Sequence, residues 1–191
     1  MDSHEGYSRD WLWSANSWSE LIRMSPETKA ILRAAMNRFE LDRDGIHGVA
    51  HWGRVRANGF RLAQLTGANV YVVELFALIH DSCRIDDGHD PEHGLRAAGF
   101  AEDLVHRGIL RIGKTDLELL TTACRWHSHG ALLDDVTIST CWDADRLDLG
   151  RTGIRPDPDR LCTDAAKTPN ILRWAYERSI SGAAKRRVRV R

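Results

Sequence analysis

Apolar residues recur at helical spacing along this chain, in segments separated by polar breaks rich in Gly, Pro and Asp. Ile31, Leu32 and Ala35 fall on one helical face, and Ser25 followed by Pro26 is a typical helix start. Six further helices are predicted: over 48–66, over 70–79, opening at 90, over 115–126, around 136–147 and around 171–174. No strand pattern or internal repeat is evident, so the sequence predicts an all-α fold.

The most apolar of these segments, 70–79, ends directly in His80 followed by Asp81. Burying an imidazole beside a carboxylate is costly unless each is paired or bound to a cation. Eight of the 9 histidines lie between His47 and His129, which surrounds this pair with further ligands. Imidazole and carboxylate together suit Zn, Fe, Mn, Co or Ni. The pattern therefore predicts a metalloenzyme that binds a divalent ion.

The length of 191 residues is typical of one domain with short tails. We expect three parts in the chain: a Trp-rich segment at 1–24 that packs onto the domain, a helical domain at 25–182 and a basic tail at 183–191. The Thr115–Glu118 segment matches a capping box, which places the start of the fifth helix there.

Charge and cysteine content narrow the class of protein further. The 27 basic and 27 acidic residues give a formal net charge of zero, which makes nucleic acid an unlikely partner. No run approaches the ~20 apolar residues that span a bilayer, and no signal peptide opens the chain. The 4 cysteines include no CxxC pair, so we expect free thiols and a cytoplasmic location. The sequence leaves open whether the chain forms a homo-oligomer.

Three short strings resemble motifs of the HD domain superfamily of metal-dependent phosphohydrolases. The segment 51–55 resembles the HxxRV helix, His80-Asp81 matches the HD doublet, and 144–148 resembles the ADRLD segment. The resemblance covers roughly residues 47–150 and implies a helical bundle. It also implies that four residues bind one ion: His51, His80, Asp81 and Asp145.

The resemblance also bears on a second ion. Binuclear members carry additional histidines between the doublet and the last Asp, and His127 matches one of these positions. Where such members place another histidine before a proline, this chain has Asp90, so His89, Asp90 and His93 are alternative candidates. His47 lies four residues before His51 and is a candidate for an extra metal or for the substrate phosphate.

The implied activity is hydrolysis of a phosphate monoester or diester on a nucleotide or another small phosphorylated molecule. His127 or His129 would protonate the leaving oxygen, and Arg84 and Arg125 would bind the anionic substrate. Two alternatives have the same ligand requirements or the same fold. One is an HD-fold di-iron oxygenase, and the other is a non-catalytic nucleotide-binding sensor.

Overall fold

The computed structural model describes residues 24–130 and 134–189, with the backbone alone for 182–189. Within these ranges the chain is helical, with three short 3-10 turns and no strand. The helices are α1 Pro26–Arg38, α2 Val49–Thr66, α3 Val70–Ile79, α4 His93–His106, α5 Lys114–Trp126, α6 Val136–Arg146, α7 Asp164–Lys167 and α8 Pro169–Arg189. The predicted all-α class is confirmed. The Trp-rich segment 1–24, which was predicted to pack onto the domain, lies almost wholly outside the described residues.

Helix α3 lies at the centre of the bundle. Its residues are apolar on all sides except Glu74, and seven of its ten positions are buried. It packs against α1, α2, α5 and α6. A helix that is hydrophobic all round belongs in a core. Because α3 is buried, the His80-Asp81 pair that follows it is carried into the interior.

Close backbone approaches fix the neighbouring helices around α3. Gly59 of α2 faces Val73, and a Cβ there would lie 2.4 Å from the Val73 Cγ1 atom. Asn58 donates a hydrogen bond of 2.9 Å to the backbone carbonyl of Ala144, which ties α2 to α6. On the other side, α4 and α5, which are consecutive in the chain, pack against each other.

Side-chain caps explain several helix starts. Ser25 accepts a hydrogen bond from the Thr28 backbone N–H, as its position before Pro26 predicted. Asn69 and Asp135 cap α3 and α6 in the same way. These caps satisfy backbone N–H groups that have no partner within the helix.

Two predicted helix starts are wrong by one to three residues. The fourth helix begins at His93 rather than at Asp90, because the Asp90 carboxylate binds Arg96 and the Ile85 backbone N–H instead of capping a helix. The fifth helix begins at Lys114, after Gly113 in extended conformation, so Thr115 lies inside the first turn and caps nothing.

The last helix, α8, packs against the 3-10 turn Leu149–Thr152. The contact is close, since a Cβ at Gly150 would lie 2.0 Å from the Ser179 Oγ atom. The helical backbone continues through Arg189, so it includes most of the basic segment predicted as a tail. None of the described helices has both the length and the apolar character required to cross a bilayer.

Candidate metal centre

Six metal-type ligands converge from the ends of five helices. Each lies in the first or last turn of a helix or directly after it, where the chain enters or leaves the core. They are His51 of α2, His80 and Asp81 after α3, His93 of α4, His127 after α5, and Asp145 of α6. The first five are buried, and the side chain of Asp145 is 18% exposed.

His51, His80 and Asp81 form a first triad, and Asp145 lies beside it as a fourth residue of ligand type. The Nε2 atoms of His51 and His80 lie 3.2 Å apart, and Asp81 Oδ2 lies 3.4 Å and 3.6 Å from them. Asp145 Oδ1 lies 3.3 Å from His51 Nε2 and 3.9 Å from His80 Nε2. A tetrahedral ion with bonds of about 2.0–2.2 Å holds its ligand atoms about 3.3–3.6 Å apart. The four side chains therefore have the spacing of ligands around one ion.

A second triad uses the other oxygen of the same aspartate. Asp81 Oδ1 lies 3.4 Å from His93 Nε2 and 3.6 Å from His127 Nε2. The two imidazole nitrogens lie 2.9 Å apart. Both triads could hold a metal ion, and Asp81 belongs to each. A carboxylate with one oxygen in each group can bridge two ions.

The remaining ring nitrogen of all four histidines contacts an oxygen. The Nδ1 atoms of His80 and His127 lie 3.1 Å and 2.7 Å from the carbonyl oxygens of Phe76 and Cys124. That of His93 contacts the Asp90 carbonyl. A carbonyl only accepts, so these three nitrogens donate a proton, and each Nε2 atom keeps its lone pair for the centre. Such outer contacts commonly orient histidine ligands of metals.

His51 is held by a carboxylate rather than a carbonyl. Its Nδ1 atom lies 2.7 Å from Asp148 Oδ2, and Arg54 donates hydrogen bonds of 2.6 Å and 3.0 Å to the two Asp148 oxygens. Asp148 is not among the site residues that the sequence predicts. Its position, three residues after Asp145 and one helical turn away, was the available signal.

The electrostatics of the cluster favour a bound cation. Burial opposes ionisation, yet His80, His127 and His51 hold the pKa of Asp81 well below its usual range. The pKa of Asp145 is lowered in the same way, chiefly by the nearby imidazole of His51. Burial lowers the pKa of His80 to about 3 and, with the charge of His127, that of His93 to about 4. At neutral pH these residues offer two carboxylates and two neutral imidazoles.

One atom of the cluster shows the fit directly. Asp145 Oδ1 is buried and accepts no hydrogen bond of normal geometry in the described part of the chain, although His51 Nε2 lies 3.3 Å away. A buried carboxylate oxygen without a partner is costly, and a metal ion would remove that cost. The orphaned oxygen, the orientation of the histidine lone pairs and the nitrogen and oxygen donor set all suit divalent transition metals.

Two buried arginines flank the triads. Arg84 Nη1 lies 3.6 Å from Asp81 Oδ1 and 3.0 Å from His93 Nε2, beside the second triad. Arg151 Nη2 lies 3.9 Å from Asp145 Oδ1, beside the first. The Nη1 atom of Arg151 is buried and donates no hydrogen bond among the described residues; it lies 3.9 Å from Asp148 Oδ2. Arg84 was a sequence candidate, whereas Arg151 was missed because it lies beyond the recognisable motifs.

The other candidates from the sequence lie outside the two triads. His47 is buried nearby, and its Nδ1 atom lies 2.9 Å from Asp87 Oδ1. His89, Arg125 and His129 are exposed. Of the three alternatives for the second site, the structure brings His93 into the cluster, while the Asp90 carboxylate is occupied by Arg96.

Comparison with known proteins supports the fold. No model of a protein family matches the sequence, and no curated protein matches it. A crystal structure of a predicted HD superfamily hydrolase from an uncultured Thermotogales bacterium is similar, with a TM-score of 0.64 and 22% sequence identity. The match covers 91% of this chain and 99% of that one. The chain therefore has the HD-domain fold that its motifs predicted.

Proposed function

We propose that this protein is a metal-dependent phosphohydrolase, a phosphomonoesterase or phosphodiesterase that acts on a nucleotide or another small phosphorylated molecule. The observation that carries the proposal is the pair of buried triads that share the two oxygens of Asp81. Paired ions about 3.5–4 Å apart are typical of enzymes that hydrolyse phosphate esters. The HD-hydrolase name of the structural neighbour agrees with this activity.

The six residues of the cluster would hold two divalent ions. His51, His80 and Asp145 serve the first ion, His93 and His127 serve the second, and Asp81 serves both. Such ions supply positive charge for the phosphoryl group and a water whose pKa falls toward neutrality. The protein adds fixed orientation, because the outer contacts of the histidines lock each ring before an ion binds.

Arg84 and Arg151 are the residues that we assign to the substrate phosphate. Both guanidinium groups are buried beside ligand carboxylates, one at each triad. Guanidinium groups form strong charge-assisted hydrogen bonds with phosphate oxygens. The Nη1 atom of Arg151 donates no hydrogen bond to its neighbour Asp148, so such an oxygen would supply an acceptor.

Three further histidines, His127, His129 and His47, are assigned to metal binding, proton transfer and substrate binding. Both ring nitrogens of His127 are engaged within the site, so we assign this residue to the second ion rather than to proton transfer. His129, exposed in the same 3-10 turn, remains the candidate that protonates the leaving oxygen. His47 is positioned by Asp87 through Nδ1, which leaves Nε2 for the substrate.

Metal analysis combined with a substrate panel tests the proposal. Protein purified without chelators is analysed for bound metal, then assayed with p-nitrophenyl phosphate, its bis ester and nucleotides under Mn, Co, Ni, Zn and Fe. We expect bound metal and hydrolysis of at least one ester. Asp81→Ala should remove both while circular dichroism shows an intact helical fold. The exposed Asp159→Asn is the matched control and should change neither.

Well-folded wild-type protein that binds no metal and cleaves no ester under any ion would disprove the proposal. Bound iron with consumption of oxygen would instead identify the di-iron oxygenase alternative, since imidazole and carboxylate donors also suit iron. Nucleotide binding without turnover in metal-loaded protein would identify the sensor.

A further inference from the structure

A cavity of about 510 Å³ lies between α1 and α4, and it shares no residue with the metal cluster. Its wall includes Asn37 and Arg38 from α1, and Arg96, Phe100 and Asp103 from α4; Arg107 follows directly after α4. Small-molecule sites in proteins commonly measure about 300–1,000 Å³. The cavity therefore has the size of a ligand site that the proposed activity does not use.

The lining of this cavity is basic. Arg107 pairs with Asp103 at 3.1 Å, and Arg96 pairs with Asp90 at 2.6 Å. Arg38 approaches the Cys83 thiol and forms no ion pair with a carboxylate of the described chain. Arg38 therefore leaves one positive charge that an anion could neutralise, and guanidinium groups suit phosphate oxygens.

A glycine in the middle of α4, Gly99, lines the cavity. Gly99 lies within the helix, where glycine is unfavourable relative to alanine. A Cβ at this position would meet no atom within 4 Å, so no packing contact explains the glycine. Gly94 of the same helix differs, since its Cβ would lie 2.5 Å from the Cys124 carbonyl oxygen. Phe100, which also lines the cavity and is only partly buried, offers a surface for an aromatic group.

From these observations we infer that the cavity between α1 and α4 binds a small phosphorylated molecule that carries an aromatic ring. Arg38, Arg96 and Arg107 bind the phosphate, and Phe100 contacts the ring. This anion site is separate from the metal centre, and its existence does not depend on the proposed hydrolase activity.

Arg96 connects the anion site to the second triad. Its Nη2 atom lies 2.6 Å from both oxygens of Asp90, and its Nε atom donates to the Cys83 carbonyl at 3.0 Å. The backbone carbonyl of Asp90 in turn contacts Nδ1 of His93. A phosphate in the cavity competes with Asp90 for Arg96, so it loosens the segment that orients His93. The second ion should then bind more weakly, and by linkage the ion should weaken the anion.

Calorimetric titration of the full chain with phenylphosphonate tests the site, because this probe carries a ring and a phosphonate that cannot be hydrolysed. The protein is first stripped of metal. We expect one equivalent to bind, with affinity that falls as salt rises. Arg38→Gln should weaken binding at least tenfold, and Gly99→Leu, which fills the cavity without changing charge, should abolish it. Arg33→Gln, an exposed arginine on the same helix, should leave binding unchanged.

Absence of binding to the wild type would overturn the anion site, as would equal binding by the wild type and Gly99→Leu. An equal loss on Arg33→Gln would show a non-specific charge effect and would overturn it too. Circular dichroism verifies that each variant is folded. None of these readouts involves turnover, so failure here is distinct from failure of the proposed hydrolase activity.

The link to the metal centre, which rests on the proposed binuclear site, needs a second titration. Mn²⁺ is added with and without phenylphosphonate to the wild type and to Gly99→Leu. We expect the probe to weaken the second Mn²⁺ at least fivefold in the wild type and to have a smaller effect in the variant. The same shift in both proteins would overturn the link, because the probe would then act at the metal centre itself.

Discussion

Asp148 supports His51 from behind the metal centre: its Oδ2 atom lies 2.7 Å from His51 Nδ1, opposite the ring nitrogen that faces His80. The two residues are 97 positions apart in the chain. Arg54 neutralises Asp148 through two hydrogen bonds, so the carboxylate is buried without an unpaired charge. The pair fixes the plane of a ligand that would otherwise rotate.

Loss of the Asp148 charge should weaken the first ion without removing a ligand. Changes to residues that orient metal ligands typically reduce metal affinity by about 10- to 100-fold. We expect Asp148→Asn to do so for the more tightly bound ion, as measured by competition with a chelator. Asp159→Asn, at an exposed position, should leave the affinity unchanged. An unaltered affinity in Asp148→Asn would show that the Asp148 contact does not orient His51.

Asp143 and Asp145, both in α6, should have different roles: the first in stability and the second in metal binding. Asp143 accepts hydrogen bonds from the backbone N–H groups of Cys162 and Thr163 and from the Thr163 hydroxyl, at 2.7–2.8 Å. Asp143→Asn should therefore lower the free energy of unfolding by about 1–3 kcal/mol, because one of the two acceptor oxygens is replaced by an NH2 group that faces a buried donor. Asp145→Asn should instead remove bound metal with a smaller loss of stability.

Urea denaturation and metal analysis on both variants check this contrast. Loss of metal from Asp143→Asn at full helix content, with metal retained by Asp145→Asn, would reverse the assignment of the two residues.

His127 should control the second ion alone. It contacts Asp81 Oδ1 and His93, and it belongs to the triad without His51. His127→Ala should reduce the metal content from two equivalents to about one and cut turnover strongly, whereas His51→Ala should weaken the first ion. Inductively coupled plasma mass spectrometry measures the stoichiometry. One equivalent in the wild type and no change in His127→Ala would indicate a mononuclear site.

Metal binding should depend on pH through His51. Burial and the charge of Arg151 disfavour its protonation, but the carboxylates of Asp145, Asp148 and Asp81 around it raise its pKa to about 9 in the metal-free protein. A metal ligand must be deprotonated, so at neutral pH the ion displaces a proton from His51. Apparent affinity should rise about tenfold per pH unit until about pH 9 and then level off.

Calorimetry in buffers of different ionisation enthalpy measures the released proton, which we expect to be about one per first ion at pH 7. The raised pKa also stabilises the metal-free fold. That contribution is complete below the unfolded value of about 6.5 and disappears as the pH rises through about 9. An affinity independent of pH between 6 and 8 would contradict the prediction that His51 is protonated in the metal-free protein and loses its proton when the ion binds.

Gly94 and Gly99 of α4 should respond in opposite ways to the same substitution. The Cβ of Gly94→Ala would lie 2.5 Å from the Cys124 carbonyl oxygen, which accepts from His127. We expect a loss of about 1–3 kcal/mol from overpacking and a weaker second ion. Gly99→Ala meets no atom within 4 Å and should stabilise the helix by about 0.5–1 kcal/mol. Thermal denaturation distinguishes these outcomes, and equal effects would show that α4 and α5 are not in close contact.

The sequence by itself determined the fold class and named most of the residues that form the candidate metal centre. Apolar residues at helical spacing must be buried on one helix face, so periodicity alone predicted the all-α class, and the resemblance to a known family added the bundle. The doublet after α3 was recognisable because its two residues are adjacent and the helix before them is wholly apolar. His51 and Asp145 were recognisable within short local strings, each of which lies on a single helix.

Tertiary structure alone decided how these ligands are grouped. The sequence could not show that the two oxygens of Asp81 face different histidine pairs, or that His93 enters the cluster while His89 remains exposed. Nor could it show that Asp148 supports His51, or that Arg151 brings a buried cation beside Asp145. These contacts join residues far apart in the chain, and their distances depend on how whole helices pack. Local periodicity contains no information about that packing, which is why only the folded chain revealed the two triads.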